Sequence, residues 1–453
     1  MTRNLTQGKP WLLILLFTLP LLIGNLFQQF YNMADAFIVG RTIGVNALAA
    51  VGSTGSINFL IMGFLMSFCM GASIITSQRF GAGDMEGVRK SFAVCIILGL
   101  MVTAVLMVIS ILVTRKLLEI LQTPDEIIND AYAYIIIIWW GMPACFLFNL
   151  LSMAMRAVGD STTPLYFLVI ACIINIILDF VFILLFKMGV AGAGYATVIA
   201  QLISGLLCIP VIIKKYEMLK VRADDFKMSG KDLWEHFRVG FPMGFQMSII
   251  AIGSVTVTFA LNRLGALALA ANTAAQKIDT IANMPINSFG SAITTYAAQN
   301  FGAKKYQRIK QGMFQCFTMS SIFSVVMCAV YWIFGDELAR FFIGDVPEVT
   351  SLSYFWLKVQ GSGYIMLSWL FATRQTLQGL GKSMITTNAG LAECVMRIFA
   401  ALILGSYFGY QGVCFSNILA WGGACVPLTI FIIIEFKKLT RLEGAQKAQA
   451  LGY

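Results

Sequence analysis

The sequence predicts an all-α integral membrane protein of twelve transmembrane helices, arranged as two six-helix lobes related by a pseudo-two-fold axis along the membrane normal. Two observations carry this prediction. Hydrophobic residues make up 58% of the chain and charged residues 12%, with a mean hydropathy of +0.79, whereas soluble domains carry about a quarter charged residues. A heptapeptide also occurs twice, almost half a chain apart, and such a repeat indicates a duplicated fold.

Apolar windows of about twenty residues, each long enough to cross the hydrocarbon layer as a helix, recur along the chain. They are continuously apolar and do not alternate, which excludes a closed barrel, the other structure that can span a membrane. In order, we place them at 11–34, 47–77, 92–113, 128–152, 164–186, 192–213, 237–262, 268–297, 313–334, 350–376, 384–405 and 411–435.

The heptapeptide reads QRFGAGD at 78–84 and QNFGAKK at 299–305, an offset of 221 residues. Six spans per half is an even number, so the halves are parallel repeats that pack around a central cavity. We therefore expect an N-lobe at 1–213, a cytoplasmic linker at 214–236 and a C-lobe with a cytoplasmic tail at 237–453. We expect the heptapeptides to form turns whose flanking Lys and Arg residues contact lipid.

Two prolines occupy equivalent places, Pro20 in the first span and Pro242 in the seventh. A proline inside a helix removes one backbone hydrogen bond and kinks the helix. In a membrane this is tolerated where neighbours or water satisfy the freed carbonyl. The pair predicts helix bends with a mechanical role.

The positive charges predict the orientation. Loops on the side of the two termini hold 23 of the 32 Lys and Arg residues, and the opposite loops hold six. By the positive-inside rule both termini are cytoplasmic, in the cytoplasmic membrane of a prokaryote. The net charge of +10 then reflects basic loops beside anionic lipids rather than nucleic-acid binding. We expect a monomer.

Acidic residues within the spans are the candidate functional groups, because a charge in the membrane interior is costly and by default faces a cavity. In the first span, Gln28, Tyr31 and Asp35 are spaced i, i+3 and i+7, which places them on one helical face. Asp35 lies near the outer end of that span. An interfacial residue at a helix end is the alternative interpretation of Asp35.

The fifth span carries Asp179 four residues after Asn175, again on one face. Thr197 in the sixth span is expected at the same level, since the chain turns between the two spans. Carboxylate, amide and hydroxyl oxygens form a suitable site for a hard cation such as Na+. They suit a proton equally well, because burial and a neighbouring like charge both favour the protonated carboxyl. A buried structural hydrogen bond is the alternative for Asp179.

Two further acids are weaker candidates. Glu393 lies four residues before Arg397 on one helical face, which favours an intrahelical ion pair. Asp279 lies near Lys277 in the eighth span, and a structural role is as well supported by the sequence as a functional one.

At these residues the chain resembles the multidrug and toxic compound extrusion (MATE) family, over about residues 10–440. The resemblance rests on the duplicated layout, on QQFYNMADAFIVGRTIGVNALAAVG (28–52), on the heptapeptide pair and on RAVGDSTTP (156–164). The Asn-x-x-x-Asp pair together with Asp35 is similar to the prokaryotic DinF-like branch, which implies export coupled to H+ or Na+ through an N-lobe site. In the other prokaryotic branch a glutamate of the seventh helix binds cation; here that span has no acid, only Gln246, which puts a C-lobe cation site in doubt. The resemblance assigns the family's cation site to Asp35, Asn175, Asp179 and Thr197. It assigns an adjacent hydrogen-bonding position to Tyr31 and the bend in the first helix to Pro20.

The resemblance implies a secondary multidrug exporter of amphipathic, cationic compounds that works by alternating access, with H+ or Na+ as coupling ion and no bound cofactor. No GxxxxGK[ST] motif is present, which argues against an ATP-driven pump. Three alternatives stay open. A lipid-linked oligosaccharide flippase of the same superfamily needs a strongly charged cavity, but the spans hold few basic residues. A membrane-embedded enzyme lacks a nucleophile or His cluster, and a channel is separable by current without substrate.

Overall fold

The computed structural model describes residues 4–344 and 346–450. Arg3 and the last three residues of the predicted C-lobe lie outside them. Within the described ranges the chain is helical apart from short connections. The helices are α1 (Pro10–Thr42), α2 (Val45–Gly81), α3 (Met85–Ile120), α4 (Asp125–Trp140), α5 (Met142–Ala157), α6 (Thr162–Asp179), α7 (Gly189–Lys215), α8 (Gly230–Leu264), α9 (Ala266–Gly302), α10 (Tyr306–Ile343), α11 (Pro347–Gly379), α12 (Ser383–Phe399), α13 (Gly405–Cys414) and α14 (Ser416–Ala450).

The predicted fold class is confirmed. Nine of the helical segments in the described ranges are long and apolar enough to cross a membrane, and α4 with α5 forms a tenth that is bent by 49°. The two other long helices, α9 and α11, match the predicted eighth and tenth spans but carry more polar residues, among them Asp279 and Arg374. Long apolar helices form here because the bilayer interior leaves backbone groups no partners except those within the helix.

Two spans contain a π-helical turn at equivalent places in the duplicated halves. Phe180–Leu185 directly follows α6, and Ala400–Leu404, 220 residues later, joins α12 to α13. π-Helical turns inside α-helices occur frequently at functional sites. The first of these turns begins immediately after Asp179, so the candidate carboxylate lies where the regular helix ends.

The chain forms two compact units. Unit 1 contains Asn4 and Pro20–Met247, and unit 2 contains Leu5–Leu19 and the chain from Ser248 onward. Both α1 and α8 are thus shared between units, and α1 divides at Pro20. In unit 1 the core packs α2, α3, α5 and α7 around residues such as Phe68 and Phe146. In unit 2 it packs α9, α10, α11 and α14 around Tyr364 and Leu428. The lobe boundaries predicted from sequence stay predictions.

The segment predicted as a linker folds against unit 1. After α7 it forms two short 3-10 turns, Glu217–Leu219 and Ala223–Phe226, before α8 begins. Tyr216 and Leu219 are fully buried in the unit 1 core, and Asp225 lies 3.4 Å from the Arg89 guanidinium of α3. The segment is therefore part of unit 1 and is held there by apolar burial as well as charge.

Close backbone approach brings the start of α8 onto α2 within unit 1. A Cβ atom added at Gly71 would lie 2.7 Å from the Gly240 Cα, and one added at Gly240 would lie 2.9 Å from the Phe68 carbonyl oxygen. Small residues allow membrane helices to pack this closely. An alanine at either position would force the helices apart.

The first heptapeptide connects α2 to α3 and binds the start of α8. Arg79 donates a hydrogen bond of 3.1 Å to Glu235 and lies 3.8 Å from Asp232. Beside it, the buried His236 Nε2 lies 2.7 Å from the Ser91 hydroxyl. Arg79 thus pairs with acids of the same unit, and the expected lipid contact stays a prediction.

The second heptapeptide connects α9 to α10 and binds the segment that precedes α1, within unit 2. Gln299 accepts from the Leu5 N–H at 3.0 Å, and Asn300 donates to the Leu5 carbonyl at 3.1 Å. Lys305 donates to the Thr6 carbonyl at 2.9 Å, and Arg308 to the Gly8 carbonyl at 2.9 Å. These two cations bind backbone carbonyls of the segment before α1, and their expected lipid contact stays a prediction. Each heptapeptide thus holds the segment that leads into the first helix of the other half.

Candidate functional site

The structure brings the predicted carboxylates together in unit 1. Asp179 at the end of α6 and Asn175 one turn earlier are fully buried, as their i, i+4 spacing on an inward face requires. Asp35 of α1 is partly buried and lies close enough to Asp179 for its charge to act on the Asp179 carboxyl. The two acids therefore belong to one buried cluster.

Thr197 joins this cluster from α7. Its hydroxyl oxygen accepts a hydrogen bond from the Tyr31 hydroxyl at 3.1 Å and lies 3.5 Å from the Asn175 amide nitrogen. The tight connection between the π-helical turn and α7, with Gly189 at φ +63°, sets the two helices antiparallel at this level. The sequence expectation that Thr197 lies level with Asp179 agrees with this arrangement.

Four acceptor oxygens of the cluster have no hydrogen-bond partner among the residues that the structure describes: Asp35 Oδ1, both carboxylate oxygens of Asp179, and Asn175 Oδ1. A buried polar atom without a partner costs about 1–3 kcal/mol, and a charged one costs more. A proton or a cation would satisfy these oxygens. Its donors and acceptors fit either one, since H+ requires a single carboxyl oxygen and Na+ prefers several oxygens such as these.

Sequence reasoning missed Tyr134. This residue of α4 is buried and lies close enough to Asp35 and Asp179 for their charges to act on its hydroxyl. In the sequence it stands in an apolar run, AYAYIIIIWW, which offers no signal beyond a single hydroxyl in a span. Only the packing of α4 against α2 and α7 brings it to the acids.

A cavity opens within unit 1 beside the carboxyl cluster. Tyr31 belongs to both, because its hydroxyl bonds Thr197 while the residue lines the cavity. Apolar side chains make up most of the wall and amides supply its polar groups. The lining residues are Gln28, Tyr31, Met66, Phe148, Asn149, Leu168, Ala171, Cys172, Ala200 and Gln201.

The two prolines lie inside helices as predicted, Pro20 in α1 and Pro242 in α8. Pro20 is also the residue at which α1 passes from unit 2 to unit 1, and the division of α8 falls five residues after Pro242, at Met247. A bending movement at either proline stays a prediction.

The weaker candidates belong to unit 2. Glu393 forms the predicted intrahelical pair with Arg397, at 2.8 Å, and a second ion pair with Arg374. All three side chains are almost fully buried, and Arg397 also reaches the Ser254 hydroxyl at 3.4 Å. Arg374 lies within α11, inside the predicted tenth span. The group is an ion-pair network, as the sequence favoured for Glu393.

Asp279 forms a separate network in unit 2. Its carboxylate accepts from the Tyr364 hydroxyl and, at 2.7 Å, from the Asn283 amide, and the hydroxyls of Tyr364 and Tyr331 are 3.2 Å apart. Lys277, the neighbour considered in the sequence, forms no ion pair with it among the described residues. The two tyrosines were not foreseen, since they come from α10 and α11.

The chain resembles known transporters over nearly its whole length. The MatE family model matches residues 20–181 and 242–434, so that each match begins at one of the paired prolines. The probable multidrug resistance proteins YpnP and YoeA of Bacillus subtilis are 26% and 29% identical, over 90% and 88% of this chain and 92% and 86% of theirs. A structure described as the outward-facing conformation of a multidrug resistance MATE family transporter of the MOP superfamily superposes with a TM-score of 0.90 at 21% identity, covering 96% of this chain and 98% of that one.

Proposed function

The chain belongs to the MatE family of multidrug efflux transporters, and from this premise we propose that it exports amphipathic, cationic small molecules in exchange for H+ or Na+ by alternating access. The observation that carries the proposal is the pair Asp35 and Asp179. Both acids lie in one cluster with unpartnered oxygens, and no Lys or Arg among the described residues forms an ion pair with either. Such a cluster is a binding site for a small cation.

The cavity beside the cluster supports exchange. An apolar wall with a few amides suits an amphipathic guest, and Met66 is an adaptable side chain that favours promiscuous binding. Because Tyr31 lines the cavity and also bonds within the cation cluster, occupation of one site can change the other. Binding of H+ or Na+ at the carboxylates then favours release of the substrate.

We assign the movement to α1. Its residues before Pro20 belong to unit 2, and Asp35 belongs to unit 1. A bend near Pro20 on cation binding would reshape the cavity wall at Gln28 and Tyr31. The distribution of positive charge predicts that both termini are cytoplasmic. The membrane potential contributes about 2.3 kcal/mol for each charge that crosses 100 mV.

The test is uptake of ethidium, a fluorescent cation, into proteoliposomes under an imposed pH or Na+ gradient. Wild-type protein is expected to respond to one gradient, which identifies the coupling ion. Asp179→Asn is expected to abolish the response while the protein still folds, as judged by its melting temperature in detergent. Asp130→Asn, which changes an exposed acid of the same unit, serves as the matched control and should leave uptake unchanged. Unchanged uptake in Asp179→Asn would contradict the assignment.

The same vesicles separate the alternatives. A channel would give current without ethidium, and an oligosaccharide flippase would move a lipid-linked sugar and leave ethidium outside. The buried cations of unit 2 offer little support for the flippase, because Arg374 and Arg397 both pair with Glu393.

A further inference from the structure

Asp279 is a buried carboxylate that the proposed exchange at Asp35 and Asp179 does not use. It is 9% exposed and lies on α9 in unit 2. The titratable groups that face it from the helices packed against α9 are Tyr331 of α10 and Tyr364 of α11, and Asn283 contacts it from its own helix. Within the described part of the chain no cation pairs with it. An uncompensated carboxylate in a span is expensive and is by default functional.

The hydrogen bonds around Asp279 allow two protonation states. A hydroxyl has one proton to donate and two lone pairs to accept with. When Asp279 is ionised, Tyr364 donates to it and Tyr331 donates to Tyr364. When Asp279 is protonated, it donates to Tyr364, and Tyr364 donates to Tyr331. Asn283 donates to the second carboxyl oxygen in both states, so a proton can be gained or lost without leaving the carboxyl unbonded.

This pattern differs from that of the unit 1 cluster. There, four acceptor oxygens lack partners, whereas both oxygens of Asp279 accept from neutral donors. A metal cation needs several free oxygens. A proton needs only one oxygen and a network that can reverse, and the Asp279 network provides both.

We propose that Asp279 is a second, independent proton-binding site, with Tyr364 and Tyr331 as its relay. The second unit would then carry a proton of its own, although α8 supplies no acid within its predicted span. Its place in the transport cycle rests on the proposed antiport, whereas proton binding is a property of this network alone.

The test is pH-difference infrared spectroscopy of the purified full chain in lipid, which detects the carbonyl stretch of a protonated carboxyl without any transport. We expect Asp279→Asn to remove one titrating carboxyl band. We expect the same band to be present in the Asp35→Asn/Asp179→Asn double variant, so that failure of the export proposal and failure of this one can be told apart. Asp279→Glu should shift the band, which keeps the test usable if the asparagine variant does not fold.

Tyr364→Phe tests the relay. The variant removes one hydrogen bond from each protonation state, and because the bond to the ionised carboxyl is the stronger of the two, proton affinity should rise, by at most about tenfold, and the midpoint of the band should move to higher pH. Thr280→Ala, an exposed neighbour on α9, should change nothing. The proposal is overturned if the spectrum of Asp279→Asn equals that of the wild type, or if the band does not titrate between about pH 4 and pH 10.

Discussion

Gly83 and Lys304 stand at equivalent positions in the two heptapeptides and share a left-handed backbone, with φ of +78° and +57°. Each follows the end of a long helix, and the next residue closes the turn: Asp84 N–H bonds Arg79 O at 3.1 Å, and Lys305 N–H bonds Asn300 O at 2.9 Å. This is the Schellman type of helix end, which favours glycine. The second half has the same turn, with a lysine in place of the glycine.

Replacing the lysine with glycine is therefore expected to stabilise the protein. A left-handed conformation costs an L-residue about 1–2 kcal/mol, and glycine avoids this cost. Part of the stabilisation, roughly 0.5–1 kcal/mol, is lost because glycine has more conformational entropy in the unfolded chain. Lys304→Gly should raise the melting temperature in detergent, and Gly83→Ala should lower it. Ala303→Gly, one residue earlier with φ −72°, is the matched control and should lower it as well. A lower melting temperature for Lys304→Gly would contradict the strain argument.

The segment before α1 should loosen when Arg308 is removed. Arg308 donates to the carbonyls of Gly8 and Leu5, at 2.9 and 3.4 Å, so Arg308→Ala breaks both bonds. We expect hydrogen exchange of residues 4–9 to increase about tenfold, the effect of roughly 1.4 kcal/mol of lost local stability. Lys310→Ala, which instead removes a bond to Thr440, should leave this segment protected. Equal exchange in the two variants would show that Arg308 does not hold the segment.

Removing the charge of Glu393 should destabilise unit 2 strongly. Glu393→Gln leaves two buried guanidinium groups, Arg374 and Arg397, without a counter-charge. Breaking a buried ion pair in this way costs about 3–5 kcal/mol. The free energy of unfolding in detergent should fall by that amount, and Glu337→Gln, which changes an exposed acid of the same unit, should change it by less than about 0.5 kcal/mol. A small loss in Glu393→Gln would mean that water reaches the arginines.

We expect Asp160, in the connection between α5 and α6, to make the stability of the fold sensitive to acid. Burial raises the pKa of this carboxyl, but hydrogen bonds from Lys215, from the Thr163 N–H and from Tyr216 outweigh it and hold the pKa well below its usual range. Because the folded pKa lies below the unfolded value, the ionised group stabilises the fold above about pH 4. That stability is lost as the pH falls further, through the folded pKa.

Comparison of wild type with Asp160→Asn tests this. The variant should be less stable by about 1–3 kcal/mol at pH 7, and the difference should shrink below about pH 4. The measurement is the unfolding midpoint in detergent as a function of pH. A difference that stays constant across this range would show that ionisation of Asp160 does not stabilise the fold.

Tyr31→Phe should separate the two roles of this residue. The ring that lines the cavity is kept, while the hydroxyl that donates to Thr197 is lost. We expect ethidium binding to the detergent-solubilised protein to change less than twofold, and the concentration of coupling ion needed for half-maximal uptake to rise about fivefold to tenfold, as loss of one buried hydrogen bond predicts. The reverse pattern would place the hydroxyl in substrate binding.

The apolar windows predicted the long helices of this protein, because helix length and apolarity follow directly from the sequence. The i, i+4 spacing placed Asn175 and Asp179 on one face, and the structure has them buried together. The sequence did not predict that Tyr134 and Arg374 would join polar networks, and the reason is the same for both. Each joins a network through residues of other helices, and neither helix shows in its own sequence which of its faces meets that network.

The duplication also hides a reversal of charge. Asp160 follows a left-handed glycine and pairs with Lys215 at 2.9 Å. In the second half the residue after the equivalent glycine is Lys382, which lies 3.6 Å from Glu435. An ion pair therefore joins the equivalent connection and helix in each half, but the acidic and basic residues have changed places. The halves share the backbone conformation and the presence of an ion pair, and differ in which residue carries which charge.

By itself the sequence determined the membrane class, the number of long helices, the duplication and the face of α6 that carries Asp179, since each follows from local apolarity and helical period. Only the tertiary structure decided which polar groups meet. It placed Asp35 against Asp179, gave Asp279 two tyrosines and joined Arg374 to Glu393, because these contacts depend on how helices far apart in the chain pack side by side. Hydropathy measures the environment of each helix and contains no information about its neighbours.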